Sequence, residues 1–320
     1  MYKKRFLNGI LILFTIILCS VSQYAQEYPK LTESVLTFQG DKGKWDENKV
    51  HTLFIVEANK DGYKYWGYYA LSHYGGDPAL RQAGLVRSND LIHWDKYEGN
   101  PIIKYDCRWP SVAYHNNTFY MFYAEYDSSN DSRIVMVTSK DGIHFDNKVE
   151  VVPREKGRQN QNANIFYDKK DKTFYLSYYH GKEKDFTGQY NSQKDNQPNY
   201  WQIRVKKSKK IEDLAKAAPK TLLNMDYTLA APSITYYKGK YYLIAEASKI
   251  GKWNDQWVTL GYVSNKPDGK YKEVKNSPVL FNNDACAFQH VFDNQLYIFY
   301  SHCLDLNKWD WELRMVKTTK

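Results

Sequence analysis

The chain has 320 residues, 16% of them aromatic with 29 tyrosines, and its 45 Lys and Arg outnumber 36 Asp and Glu. That surplus is scattered among acids and partly carried by Lys3, Lys4 and Arg5, so no basic helix or cluster points to nucleic acid. The cysteines, Cys19, Cys107, Cys286 and Cys303, have no metal-ligand spacing, and the last three permit one disulfide at most.

The first predicted element is an address. Lys3, Lys4 and Arg5 precede an apolar run from Ile10 to Leu18, followed by the small residues Ser20, Ser22 and Ala25. This pattern predicts a signal peptide over residues 1–25, cleaved after Ser22 or Ala25, and an exported protein, periplasmic or extracellular. The run falls short of the roughly 18 apolar residues a membrane span needs. Leu18 ahead of Cys19, where a small residue would be needed, argues against a lipoprotein. Residues 26–320 then read as a single domain.

Within that domain one tyrosine-rich phrase recurs. It stands at Tyr65-Trp66-Gly67-Tyr68-Tyr69, Tyr120-Met121-Phe122-Tyr123, Tyr175-Leu176-Ser177-Tyr178-Tyr179, Tyr242-Leu243-Ile244-Ala245 and Tyr297-Ile298-Phe299-Tyr300, in steps of 55, 55, 67 and 55 residues. A fixed period of this size marks a radial or stacked repeat whose units bury their apolar faces against one another. The second unit is the clearest: strands at Pro110 to Tyr114, Phe119 to Ala124, Ile134 to Thr138 and Lys148 to Val152, with a turn at His115-Asn116-Asn117. Five such units predict an all-β fold, a five-bladed β-propeller of four-stranded antiparallel blades.

The chain runs out at Arg314 to Lys317, the third strand of the fifth unit. Ser34 to Phe38, which has no role ahead of the first unit, is the predicted fourth strand that closes the ring. The extra 12 residues of the third unit fall mostly between Lys182 and Tyr200, a polar loop of a length that is usually functional. Ser88-Asn89-Asp90 and Ser139-Lys140-Asp141 are predicted to close their own turns through side chain to backbone hydrogen bonds, with Trp94 and Phe145 packed beneath.

Short four-stranded repeats, the Ser88-x-Asp90-Leu91-x-x-Trp94 turn followed by Asn100-Pro101-Ile102-Ile103, and tyrosine-rich second strands together resemble the five-bladed glycoside hydrolases of families 43 and 32. The resemblance implies catalytic acids where the innermost strands enter a central funnel. This chain has Arg108-Trp109-Pro110, Asn162-Ala163-Asn164, Ala230-Ala231-Pro232 and Asp284-Ala285-Cys286 at those positions, and His51-Thr52 in the first unit, with Asp46 and Glu47 upstream. Only Asp284 brings a carboxylate there, so the family's trio of acids does not carry over.

Residues just beyond the tyrosine phrases return to the same face. They offer Ser72 and His73, Glu125 and Asp127, His180, Glu246 and Ser248, and Ser301 and His302. Glu125, His180 and His302 lie five residues past their leading tyrosines. Glu246 lies four past, which turns it to the other side unless a bulge intervenes. Glycoside cleavage needs one protonated and one ionised carboxyl, and burial among aromatics can separate their pKa values. Glu125, Asp284 and Glu246 are accordingly the candidate catalytic residues, Glu125 ahead of Glu246. Arg108, Trp109, Gln161, Asn162, Asn164, His180 and His302 are the candidate sugar-binding residues.

The leading reading is a monomeric exported glycosidase acting on a polysaccharide or oligosaccharide, without cofactor or metal, nucleic-acid partner or membrane span. The alternative is a non-catalytic carbohydrate-binding propeller. A protein-interaction propeller and a uronate lyase built on His180 and Arg108 are further readings.

Overall fold

The structure, a computed structural model, describes residues 26–319 except 48, 72–80, 128–130, 182–200, 249–256, 282, 306–307 and 309. The expected signal peptide, Ser72, His73 and the polar stretch from Lys182 to Tyr200 therefore lie outside the described residues.

The described strands form five antiparallel sheets of four, a five-bladed propeller. Strand β1 is Val35–Phe38. Blade 1 holds β2 (Val50–Lys60), β3 (Tyr63–Leu71), β4 (Ala83–Ser88) and β5 (Asp95–Lys96). Blade 2 holds β6 (Arg108–His115), β7 (Thr118–Tyr126), β8 (Ser132–Ser139) and β9 (Asp146–Val152). Blade 3 holds β10 (Gln159–Asp168), β11 (Thr173–Gly181), β12 (Gln202–Ser208) and β13 (Lys220–Leu223), with a 3-10 helix at Ile211–Ala215. Blade 4 holds β14 (Thr228–Tyr237), β15 (Lys240–Ser248), β16 (Val258–Ser264) and β17 (Lys272–Glu273). Blade 5 holds β18 (Asp284–Phe292), β19 (Gln295–Asp305), β20 (Asp310–Lys317) and, as its outer strand, β1.

The second strands explain the tyrosine phrases. Each lies between two neighbouring blades and is buried on both faces; β11 is buried at every position. A tyrosine ring fills interblade space, while its hydroxyl reaches a polar group deeper in the gap. Tyr69 donates to Asp46 at 2.9 Å, Tyr241 to Asp168 at 2.6 Å and Tyr68 to the Gly142 carbonyl at 3.0 Å. The outer strand β9, in contrast, is exposed over its first five residues.

Closure follows the expected register. Val35 pairs with Met315 and Leu36 with Arg314, and Thr32 donates to the Lys317 carbonyl at 2.8 Å. Both Ser-x-Asp turns form as predicted: Asp90 Oδ1 accepts from the amides of Ile92 and His93, and Asp141 Oδ1 from those of Ile143 and His144, all at 2.8 to 2.9 Å. Phe145 packs on Tyr68, and Trp94 packs into the interface of blades 5 and 1.

One local feature repeats in every blade. Near its start each innermost strand carries an extra residue relative to its partner, with breaks in register at His51/Leu53, Arg108/Ser111, Gln161/Asn164, Ala230/Ser233 and Ala285/Phe288. The bulged residues, Thr52, Trp109, Asn162, Ala231 and Cys286, all have left-handed backbones with φ between 43° and 50°. None is glycine, so each carries a steric cost of about 1 to 2 kcal/mol.

Candidate functional site

The five bulges ring one end of the propeller axis. Because each second strand runs antiparallel to its inner strand, its last residues return to that end, and the bulges decide what they meet. Glu246 of β15 reaches across to blade 5, where its carboxylate accepts the backbone amide of the bulged Cys286. Ser301 of β19 does the same to blade 1, accepting the amide of Thr52 at 3.1 Å. Both stand four residues past the leading tyrosine. Glu246 and Glu125 do point to different sides, as alternation requires, and the side that Glu246 takes meets the bulge of the next blade.

Glu246 is 6% exposed, and burial pushes its carboxyl up to about 7 against the pull of the Cys286 amide and thiol. It is therefore a proton donor near neutral pH. Cys286 itself is buried, and desolvation followed by the Glu246 charge raises its thiol well above the usual range. Asn162 Nδ2 lies 3.8 Å from the Cys286 sulfur, and Trp109 packs against Cys286 and Ala124. Cys107, Cys286 and Cys303 are free thiols.

Asp284 opens the strand that carries Cys286. It pairs with His302 on β19, Oδ1 to Nδ1 at 2.8 Å. Burial raises its carboxyl, and His302 and Arg314 pull it back down. Two carboxyls with elevated pKa values thus converge on the first three residues of β18, from two blades.

Glu125 is placed differently. Its carboxylate binds Arg133 Nη2 at 2.8 Å and Lys148, both on outer strands of its own blade. Burial pushes the group up, but the bonds to Lys148 and Arg133 outweigh it and hold the carboxyl below its ordinary value. Asp46 is also engaged, accepting from Tyr69 and from Lys96 at 2.8 Å.

Among the candidate sugar-binding residues, Arg108 is 6% exposed with its guanidinium carbon 3.6 Å from the Tyr126 ring centroid. Trp109 is buried. Gln161 donates to Gln159 at 2.8 Å, while its own Oε1 is buried without a hydrogen bond among the described residues. Asn164 is spent on blade cohesion, donating to Ser233 Oγ at 3.3 Å and accepting the Ile234 amide at 3.2 Å. His180 is buried beside Asn160, Nδ1 to Oδ1 at 2.9 Å, and burial with the charges of Arg204 and Arg158 lowers it to about 4. It is neutral at physiological pH.

Sequence reasoning did not single out Gln159, Tyr126, Tyr179 or Cys286 as site residues. Tyr126 ends β7, Tyr179 stands two residues before the end of β11, and Tyr179 reaches Gln159 at 3.3 Å. A count to the last residue of the second unit's tyrosine strand would have found Tyr126. At the other end of the axis the inner strands enclose a cavity of about 480 Å³ lined by Phe54, Val112, Asn164, Ile234 and His290 among others. No group of three or more His, Cys, Asp or Glu with metal-binding geometry occurs among the described residues.

No protein-family model and no curated protein matches the chain. Solved structures do match it. A thermostable family-43 glycoside hydrolase is 18% identical over 91% of each chain, with a TM-score of 0.61. The RS223 β-xylosidase is 18% identical over 89% of this chain and 94% of its own, at 0.62. An N-acetylgalactosamine deacetylase from F. plautii, solved with blood group B trisaccharide, is 13% identical over 92% and 95%, at 0.67. The chain has the five-bladed propeller fold of the family-43 enzymes.

Proposed function

We propose that this chain is an exported glycoside hydrolase in which Glu246 is the general acid and Asp284 the ionised partner. The observation that carries the reading is Glu246: a buried carboxyl held to about 7, on the ring of bulges and one residue contact from the strand that Asp284 opens. A protonated Glu246 assists departure of the leaving oxygen, and Asp284, oriented by His302, activates water or attacks carbon. The propellers of similar fold that act on glycans support the substrate class. Glu125 is better suited to a structural role, since two cations hold it ionised.

The second reading, a carbohydrate-binding propeller without catalysis, draws on the five bulged residues, Thr52, Trp109, Asn162, Ala231 and Cys286, none of which brings a carboxyl. A glycan screen that scores both binding and reducing-end release separates the two. Release of sugar by the wild type and its loss in Glu246→Gln and Asp284→Asn supports the hydrolase. Binding with no release by the wild type supports the binding module.

A further inference from the structure

Cations and carboxyls interleave at the bulge face, with Glu125 paired to Arg133 and Lys148 and Asp127 to Arg154, but one acid there serves two arginines. On the side of blades 1 to 3, Arg81 and Arg108 share one carboxylate: Asp106 Oδ1 lies 3.1 Å from Arg108 Nε and 3.5 Å from Arg81 Nη1. The other oxygen of Asp106 is taken by the Tyr126 amide at 2.8 Å. One acid, already committed to a backbone donor, therefore faces two guanidiniums. Arg81 registers the surplus, because burial and then the charge of Arg108 lower its pKa.

The positive arc continues into blade 3. Arg158 and Arg204 act on the buried His180. Glu155 stands at the outer limit of pairing with Arg204, 4.0 Å away, and Arg158 has no ion pair with another described residue. Across the face stand the carboxyls of Glu246 and Asp284. The two sides touch through Trp109, which follows Arg108 in β6 and packs on Cys286, the residue whose amide Glu246 accepts.

A guanidinium stacked on a tyrosine and short of carboxylate is built to take an oxyanion through paired N–H donors. A partly buried surplus charge is costly until such a ligand neutralises it. We propose that the glycan recognised at this site is anionic, its carboxylate or sulfate held by Arg108 and Arg81 on the side of blades 1 and 2, with the scissile bond toward Glu246. The inference rests on the glycosidase reading of the site and names its substrate class.

The test is a binding measurement, so that it stands apart from catalysis. An array of uronate-bearing, sulfated and neutral oligosaccharides is probed with the whole protein, and the tightest ligand is carried into calorimetry beside its carboxyl-reduced or desulfated counterpart. The expected result is an anionic ligand preferred by at least about tenfold over that counterpart, a preference that weakens with salt. Arg108→Gln should shrink the preference to about twofold or less, and Arg81→Gln, at a more exposed position, provides the same test if the first variant fails to fold. Loss of the preference on carboxyl reduction identifies a uronate; loss on desulfation identifies a sulfate ester. A neutral tightest ligand, a preference untouched by both arginine variants, or no glycan bound at all overturns the proposal. Binding of an anionic glycan with no cleavage overturns only the hydrolase reading, and cleavage of a neutral glycan preferred over anionic ones overturns only this one.

Discussion

Glu246 and Glu125 show how differently two glutamates near the ends of equivalent strands can behave. Burial holds Glu246 protonated to about 7, against about 4.5 for an unperturbed carboxyl. Its contribution to stability is thus fully present below about 4.5 and is lost as pH rises through about 7, a swing of about 3 kcal/mol. Glu246→Gln should match the wild type in urea denaturation near pH 4.5 and exceed it by up to that amount at pH 8; a difference that does not change with pH would mean the carboxyl is ionised in the fold. On a glycan the wild type cleaves, the same change should lower kcat by about 100-fold or more and leave binding within a few-fold. Glu125→Gln should keep turnover within about threefold and cost about 1 kcal/mol, because the two cations that pair with the carboxylate are partly exposed and such pairs contribute little. The sequence offered both residues and ranked them by strand alternation. It could not report which of the two meets a bulge, since that depends on a left-handed residue in the next blade, and Thr52, Trp109, Asn162, Ala231 and Cys286 share no side-chain chemistry that would announce one.

Strands were far more legible than side-chain directions. A second strand buried on both faces must be apolar throughout, and filling a deep gap between blades favours a ring with a polar tip, so the five tyrosine phrases give the blade count directly. The closing strand was legible by subtraction: a fifth unit three strands long and an orphan strand at the other end of the chain. Its removal is a direct test. A chain lacking the residues before Gly40 exposes the edge of β20 and loses Tyr28, whose hydroxyl donates to the buried Gln289 at 2.7 Å. Its melting temperature should fall by at least about 5 °C, as expected for a loss of a few kcal/mol in a domain of this size. An unchanged melt would show that β1 is dispensable to blade 5.

Among the described residues, three histidines are buried in neutral form. His51 and His290 are lowered to about 3 by burial, and His180 to about 4 by burial and two arginines. Each folded pKa is depressed below about 6.5, so the stability tied to the neutral ring is fully present above that value and is lost as pH falls toward the folded pKa. By pH 5 this amounts to roughly 2 kcal/mol per histidine, outweighing the opposite trend of the single Glu246. Urea midpoints should therefore fall between pH 7 and pH 5, and His51→Gln or His290→Gln should flatten that slope; a midpoint that rises on acidification would contradict neutral burial.

The hydrogen-bonded seam between residues 30–32 and 317–319 has a bearing on how the fold relates to the order of its sequence. Leu31 bridges Thr318, and Thr319 donates to the Lys30 carbonyl at 3.0 Å. The chain thus returns to where its described part began, and the circle of blades has no intrinsic first member. A peptide link across that seam, with new ends opened between Glu98 and Gly99 at the exposed outer edge of blade 1, would leave every blade its four strands. Blade 5 would then hold all of its strands as one continuous run, and the cut would fall on a connection that no interblade contact of the bulge ring depends on. Connectivity and architecture are separable in this molecule, which makes it a substrate for permutation.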